Sequence, residues 1–241
     1  MPKPTSSAAA IRLLQSHSLA TLARSELERR ILAGAIAPGD KLGEAEIAGE
    51  LNISRGPVRE AFRALEQAGL VRTEKNRGVF VREVSLGEAD EIYEVRAGLD
   101  ELIGRLAAPR ITAAQLAELR ELLKKMRQAA RLKSVEDYYP LNVRFHATLV
   151  GCAGNRTLEA VYGRLVNELH LYRRQTLARG TDSFDISERD HAQIVDALAK
   201  RDADGAARLL YRHAMESRAR LHATLDQAAP AKPPLALGRR S

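Results

Sequence analysis

The stretch ILAGAIAPGDKLGEAEIAGELNISRGPVREAFRALEQAGLVRTEKNRGVFV, residues 31–81, decides the architecture of the first third of the chain. Leading into it, Leu19, Leu22, Ala23, Leu27, Ile31 and Leu32 recur at three- and four-residue steps, the period of an amphipathic helix. Gly34 and Pro38-Gly39-Asp40 stop that helix. A short second helix from about Glu44 to Leu51 should bury Ile47, Ala48 and Leu51. Ser54 then suits an N-cap, with Pro57 in the first helical turn, where its missing N–H costs nothing, and Gly69 closes this third helix. LVRTEK and GVFVRE read as two short strands, and Asn76-Arg77-Gly78 between them suits a turn that needs positive φ.

At 100° per residue, Arg55, Arg59 and Arg63 fall at about 0°, 40° and 80° on the third helix, whereas Val58, Ala61, Phe62 and Leu65 fall at about 240° to 340°. One face is basic and its neighbour is core. On an isolated helix such arginines read as a solvated stripe. Here they follow a helix, a short helix and a tight turn, and precede a basic hairpin, which is the order of a winged helix-turn-helix. The arginines then enter the major groove, with Lys75 and Arg77 at the wing tip near phosphate or minor groove. Ser54 and Gly56, flanking Arg55, and Gly78 in the wing turn complete the candidate DNA-binding set. Glu60 and Glu66 should face away from DNA or brace an arginine.

Beyond Val84 the text changes to long helical periods. Ser85 with Glu88, Thr112 with Gln115, and Ser187 with Asp190 resemble capping signals, predicting helices near 86–107, 113–130, 135–151, 156–179, 187–200 and 203–227. Breaks are expected at Pro109, Gly151–Asn155, Gly180–Asp185 and Asp202–Gly205. The expected fold is therefore mainly α: a winged helix-turn-helix with a small β-hairpin wing over residues 15–84, then an all-α antiparallel helical bundle over 85–227. Residues 1–14 and 228–241 are expected to be disordered.

Composition agrees. With 45% hydrophobic but only 4% aromatic residues, the core is built from aliphatic side chains. The net charge of +7 suits a polyanionic partner, yet residues 1–83 hold 13 Lys/Arg to 10 Asp/Glu and residues 84–241 hold 25 to 21. Charge placement, not net charge, must therefore locate the DNA-binding part. The single cysteine, Cys152, excludes an intramolecular disulfide framework and suits a reducing compartment. No apolar run of membrane-spanning length and no secretory leader is read, so a cytoplasmic protein is expected.

In the second part, Asn142 and His146 are four residues apart on one helix face, and His191 and His213 lie on successive helices that should fold antiparallel. Three imidazoles and an amide oxygen can converge in such a bundle and suit Zn²⁺ or Ni²⁺. The same pattern also fits buried hydrogen-bonding histidines, the reading kept for His17, His170 and His222. Arg96 has Asp100 at i+4 as a salt-bridge partner.

The quoted stretch, with its SRGPVREA core and late NRG, resembles the N-terminal domain of GntR-family transcription regulators. One departure is Ala45, where some members place a DNA-contacting arginine. LNVRFHATLVGCAGN and HAQIVDALAKRDADGAARLLYRHAMES resemble the ligand-binding (FCD) domain of the FadR-like subgroup. That resemblance implies metal binding by His146, His191 and His213, with Asn142 in the place of the family's Asp, and a carboxylate effector completing the ion's shell. It also implies that Arg96 faces the effector. The whole is then a homodimeric, metabolite-responsive repressor of an operator in double-stranded DNA, with no catalytic role. A metal-dependent hydrolase or lyase using the same three histidines is the rival reading, and an architectural nucleic-acid protein a more distant one.

Overall fold

The structure is a computed structural model that describes residues 19–176 and 184–228. The expectations for 1–14 and for the tail after Ala228, like that for His17, lie outside the described residues. Helix α1 (Leu19–Ala33) leads to strand β1 (Lys41–Leu42), α2 (Glu44–Glu50) and α3 (Arg55–Gln67). Strands β2 (Val71–Glu74) and β3 (Gly78–Val81) follow. The remainder is helical: α4 (Leu86–Arg110), α5 (Ala113–Arg131), α6 (Val135–Cys152), α7 (Arg156–Thr176), α8 (Phe184–Ala199) and α9 (Ala203–Ala228). No helix among the described residues is long and apolar enough to cross a membrane.

In α3, Val58, Ala61, Phe62 and Leu65 are buried against Ala23, Leu27 and Ile31 of α1 and Ile47 and Ala48 of α2. Leu19 and Leu22, which share the apolar period of α1, instead lie exposed. Ser54 sits at the N-cap of α3 with extended backbone, but its side chain makes no capping hydrogen bond. The helix closes through Gly69, whose φ of +74° lets Leu70 N–H reach back to the Leu65 carbonyl at 3.0 Å. Asn76 and Gly78 take the positive φ expected of the wing turn, at 62° and 111°. The wing is more than a hairpin: β1 pairs antiparallel with β3 (Lys41↔Phe80, Leu42↔Val79), giving a three-stranded sheet of order β1-β3-β2. A two-residue strand has no period for a sequence to display.

Helices α4 and α9 run antiparallel along each other, tied by Arg218–Asp90 at one end and Arg105–Asp204 at the other. They approach closely at Gly104, where a Cβ would lie 2.5 Å from the Ala207 nitrogen. Thr112 and Gln115 form the expected capping box, and Ser85 accepts from Glu88 N–H. Two expected boundaries move. Pro109 lies inside the last turn of α4, which ends at Arg110; Arg201 Nη1 donates to the Pro109 and Ala108 carbonyls at 2.8 and 3.2 Å, satisfying the helix end. Ser187 does not start α8, which begins at Phe184, so Asp190 is free for another role.

The larger core joins Ile103, Leu119, Met126, Phe145, Leu149, Ile194 and Leu210 within the bundle. The second core does not stop at the winged part: Ala89, Ile92 and Tyr93 of α4, Leu169, Leu171 and Tyr172 of α7, and Leu221 of α9 belong to it.

Candidate metal centre and nucleic-acid interface

Arg55, Arg59 and Arg63 are all exposed along α3, as the helical wheel requires. Arg59 Nε lies 3.6 Å from Glu44 of α2, and Arg63 is held by Glu60 at 2.7 Å. Glu60 thus braces an arginine, while Glu66 accepts from Thr73 N–H at 2.8 Å and ties the helix to the wing. Among the described residues Arg55 has no ion pair, so its charge is available. Ser54 and Gly56 are exposed beside it, and a Cβ on Gly56 would meet only the Ser54 hydroxyl, at 4.0 Å. Lys75 and Arg77 are exposed at the wing tip, and Arg77 lies over the Phe80 ring at 5.6 Å. Lys41, on β1, covers the same ring at 5.9 Å and touches the Gly78 turn. Sequence reasoning missed Lys41 because it missed β1. Ala45 is exposed at the start of α2 and offers no cation.

In the bundle, His146 of α6, His191 of α8 and His213 of α9 are buried, with ligand atoms all within 4.8 Å of one another. The Nε2 atoms of His191 and His213 are 3.2 Å apart. Two ligands of a tetrahedral ion with metal–nitrogen bonds of 2.0–2.1 Å stand about 3.3 Å apart, so this spacing suits a shared ion as well as an N–H···N hydrogen bond between the rings. His213 Nδ1 lies 3.1 Å from the Asp190 carboxylate. A proton there fixes the tautomer and turns the Nε2 lone pair into the cluster. Asp190 also draws Arg220 to 3.8 Å. Burial, then the neighbouring His213, lowers the pKa of His191 well below the ordinary value, which keeps it neutral and able to ligate. Asn142, one turn before His146, carries a buried Oδ1 that meets no donor among the described residues. An orphaned buried acceptor is costly, and a cation would satisfy it. The residues therefore fit a divalent ion. The acidic residue preceding His191 was the legible signal for Asp190, read in the sequence only as a capping partner.

Arg96 is buried on α4. Its Nε donates to Tyr162 Oη at 3.1 Å and lies 3.1 Å from Asp100 Oδ2, and the Tyr162 hydroxyl donates to Asp100 Oδ1 at 2.8 Å. The expected Arg96–Asp100 pair is therefore present, with a tyrosine added from α7. Burial opposes the guanidinium charge, but Tyr162 and Asp100 outweigh it and hold Arg96 protonated. Burial pushes the Tyr162 hydroxyl up, so it remains a donor. Among the described residues no acceptor meets Arg96 Nη1 or Nη2. After burial and His213, the Arg96 charge adds to the lowering of the His191 pKa. His222 pairs with Asp90 at 2.7 Å, and His170 lies 3.3 Å from the Leu32 carbonyl. Both are structural partners, apart from the cluster.

A helix presenting exposed arginines, backed by a wing and joined to a helical bundle with a buried cluster of polar side chains, is the arrangement of a DNA-binding regulator. Comparison with known proteins agrees. Residues 19–81 match the family of bacterial regulatory proteins named gntR, and residues 91–216 match the FCD domain. The chain is 30% identical over 190 residues to the HTH-type transcriptional repressor RspR of Escherichia coli, covering 79% of this chain and 83% of that one. It is 33% identical over 178 residues to the Nta operon transcriptional regulator of Aminobacter aminovorans, covering 73% and 81%. Among solved structures, E. coli McbR/YncC shares the fold with a TM-score of 0.74 at 24% identity, over 86% of this chain and 99% of that one. The chain belongs to the GntR family of transcription regulators, with an FCD domain following its DNA-binding domain. The family is not one of enzymes, and the hydrolase or lyase reading finds no support.

Proposed function

We propose that this regulator is a homodimeric repressor whose operator affinity is set by a small carboxylate held in the bundle pocket beside a divalent ion. His146, His191 and His213 hold the ion, Zn²⁺ or Ni²⁺, and Asn142 Oδ1 supplies a neutral fourth contact. When bound, the ion supplies a fixed positive charge for a carboxylate oxygen. Arg96 serves the same carboxylate through its open Nη1/Nη2 fork, the geometry suited to bidentate pairing. Two winged domains in one dimer read two half-sites of a pseudo-palindrome through Ser54, Arg55, Gly56, Arg59 and Arg63, with Lys75, Arg77 and the Gly78 turn on the backbone. The division at residues 84/85 assigns operator reading to the first part and sensing to the second.

The observation that carries this reading is the 3.2 Å approach of two buried imidazole Nε2 atoms, one oriented by Asp190. The test is elemental analysis of tag-free protein, with thermal-shift screening against hydroxy acids, sugar acids, amino acids and acyl compounds. About one ion per chain, and a carboxylate that raises Tm in wild type but not in Arg96→Met, is expected. Protein that retains no ion after incubation with Zn²⁺ or Ni²⁺ refutes the metal centre.

A further inference from the structure

The turn that ends the recognition helix rests on one helix of the sensing bundle. Asn167 Nδ2 of α7 donates to the Ala68 carbonyl at 3.1 Å, at the C-cap of α3. One residue on, Glu168 is 4% exposed and accepts from Arg82 Nη1, just beyond β3, at 2.5 Å and from Arg164 Nε at 3.0 Å. Arg82 also pairs with Glu88 at the start of α4. The contact is close: a Cβ on Gly69, where φ is +74°, would lie 2.7 Å from Glu168 Oε1 and 2.9 Å from its Cγ. Leu169, Leu171 and Tyr172 extend the hydrophobic core of the winged domain, and His170 reaches the end of α1. The same helix carries Tyr162, which completes the buried cluster with Arg96 and Asp100. Six residues of α-helix separate Tyr162 from Glu168, a rise of about 9 Å along a rigid, hydrogen-bonded rod.

We propose that Glu168 is the positioning residue that seats the recognition helix on the bundle, and that α7 couples this seat to the Arg96–Asp100–Tyr162 cluster. A displacement of Tyr162 is carried along α7 to the Ala68–Gly69 turn and hence to the orientation of α3. Two networks satisfied on one rigid element cannot shift independently, which is the physical content of coupling between sites. This goes beyond the effector reading and does not depend on which ligand reaches Arg96.

Hydrogen exchange measured by mass spectrometry on the full chain, with neither metal nor effector added, tests it in wild type, Glu168→Gln, Glu168→Asp and Tyr162→Phe. The reporters are peptides spanning 66–82, which contain the Leu70 and Arg82 amides bonded to the Leu65 and Leu70 carbonyls. Peptides spanning 119–130, in the bundle core, serve as reference. Glu168→Gln should accelerate exchange at 66–82 about tenfold, and Glu168→Asp should recover part of the protection. Tyr162→Phe should accelerate the same peptides several-fold while 119–130 stays unchanged. Acceleration by Tyr162→Phe confined to 93–100 and 158–166 overturns the coupling. Unchanged exchange at 66–82 in Glu168→Gln overturns the seat, and a uniform rise across the chain in either variant shows global destabilisation and overturns both. Because no arm contains a metal ion or effector, failure of the metal or carboxylate reading leaves this outcome separate.

Discussion

Replacing Gly104 by alanine puts two opposing effects on one helix. In the interior of α4, exchanging glycine for alanine restricts the unfolded chain and favours the helix by about 0.8–1 kcal/mol. Against this, the new Cβ would lie 2.5 Å from Ala207 N, 2.6 Å from Ala206 C and 2.6 Å from Ala207 Cα, all backbone atoms of α9. Ordinary contact begins near 3.4 Å, so α4 and α9 must part locally by about 1 Å along their main packing seam, and overpacking of this kind costs about 1–3 kcal/mol or more. Contacts this short with unyielding backbone belong at the upper end, so the net expectation is a loss of about 2 kcal/mol. For a domain of this size that lowers Tm by about 4–8 °C. Gly98 lies on the same helix with nothing within 4 Å of its would-be Cβ, so Gly98→Ala should instead stabilise by up to about 1 kcal/mol. Urea and thermal unfolding followed by circular dichroism compare the two variants with wild type. If Gly104→Ala is as stabilising as Gly98→Ala, the close approach of α4 and α9 is wrong, and with it the placement of Arg96 and Asp100 relative to His213.

Arg55→Ala and Arg59→Ala should each lower operator affinity by about 1–3 kcal/mol in gel-shift titrations while thermal unfolding stays unchanged; equal affinity for both variants removes α3 from the groove. Lys75→Ala, by contrast, should weaken all DNA sequences alike and flatten the salt dependence. His191→Ala should abolish retained metal, and Asn142→Asp should raise it by supplying a charged ligand, both read by elemental analysis. The depressed pKa of His191 sets a pH dependence: below about 6.5 the unfolded chain takes up a proton that the folded chain refuses, so stability present above that value is lost as pH falls, by up to about 1.4 kcal/mol per pH unit. Urea midpoints for metal-free protein that stay flat from pH 7 to 5 contradict a buried neutral imidazole.

Much of this protein was legible in its residues because local physics decides it. Apolar spacing placed the helices, Asn76 and Gly78 marked the wing turn through positive φ, and Thr112 with Gln115 marked a helix start. The three arginines of α3 declared their face by spacing alone. The helix ends were less legible: Pro109 lies within α4 because Arg201, from a loop 92 residues away, satisfies its terminal carbonyls. Strand β1 exists only because β3 is beside it, and Lys41 joins the basic wing for the same reason. Sequence spacing offered His146, His191 and His213 as a set, whereas the direction of their nitrogen atoms was decided by packing and by Asp190. Nothing local foretold that Tyr162 would close the Arg96–Asp100 pair, or that Glu168 would grip the turn after α3. Those contacts join residues 66 and 86 positions apart in the Arg96–Tyr162 and Arg82–Glu168 pairs, where neither helical period nor turn chemistry carries information. The chain thus determines its elements by local propensity and patterning, while the buried Arg96–Asp100–Tyr162 cluster and the contacts of Asn167 and Glu168 at the turn after the recognition helix are set by long-range packing.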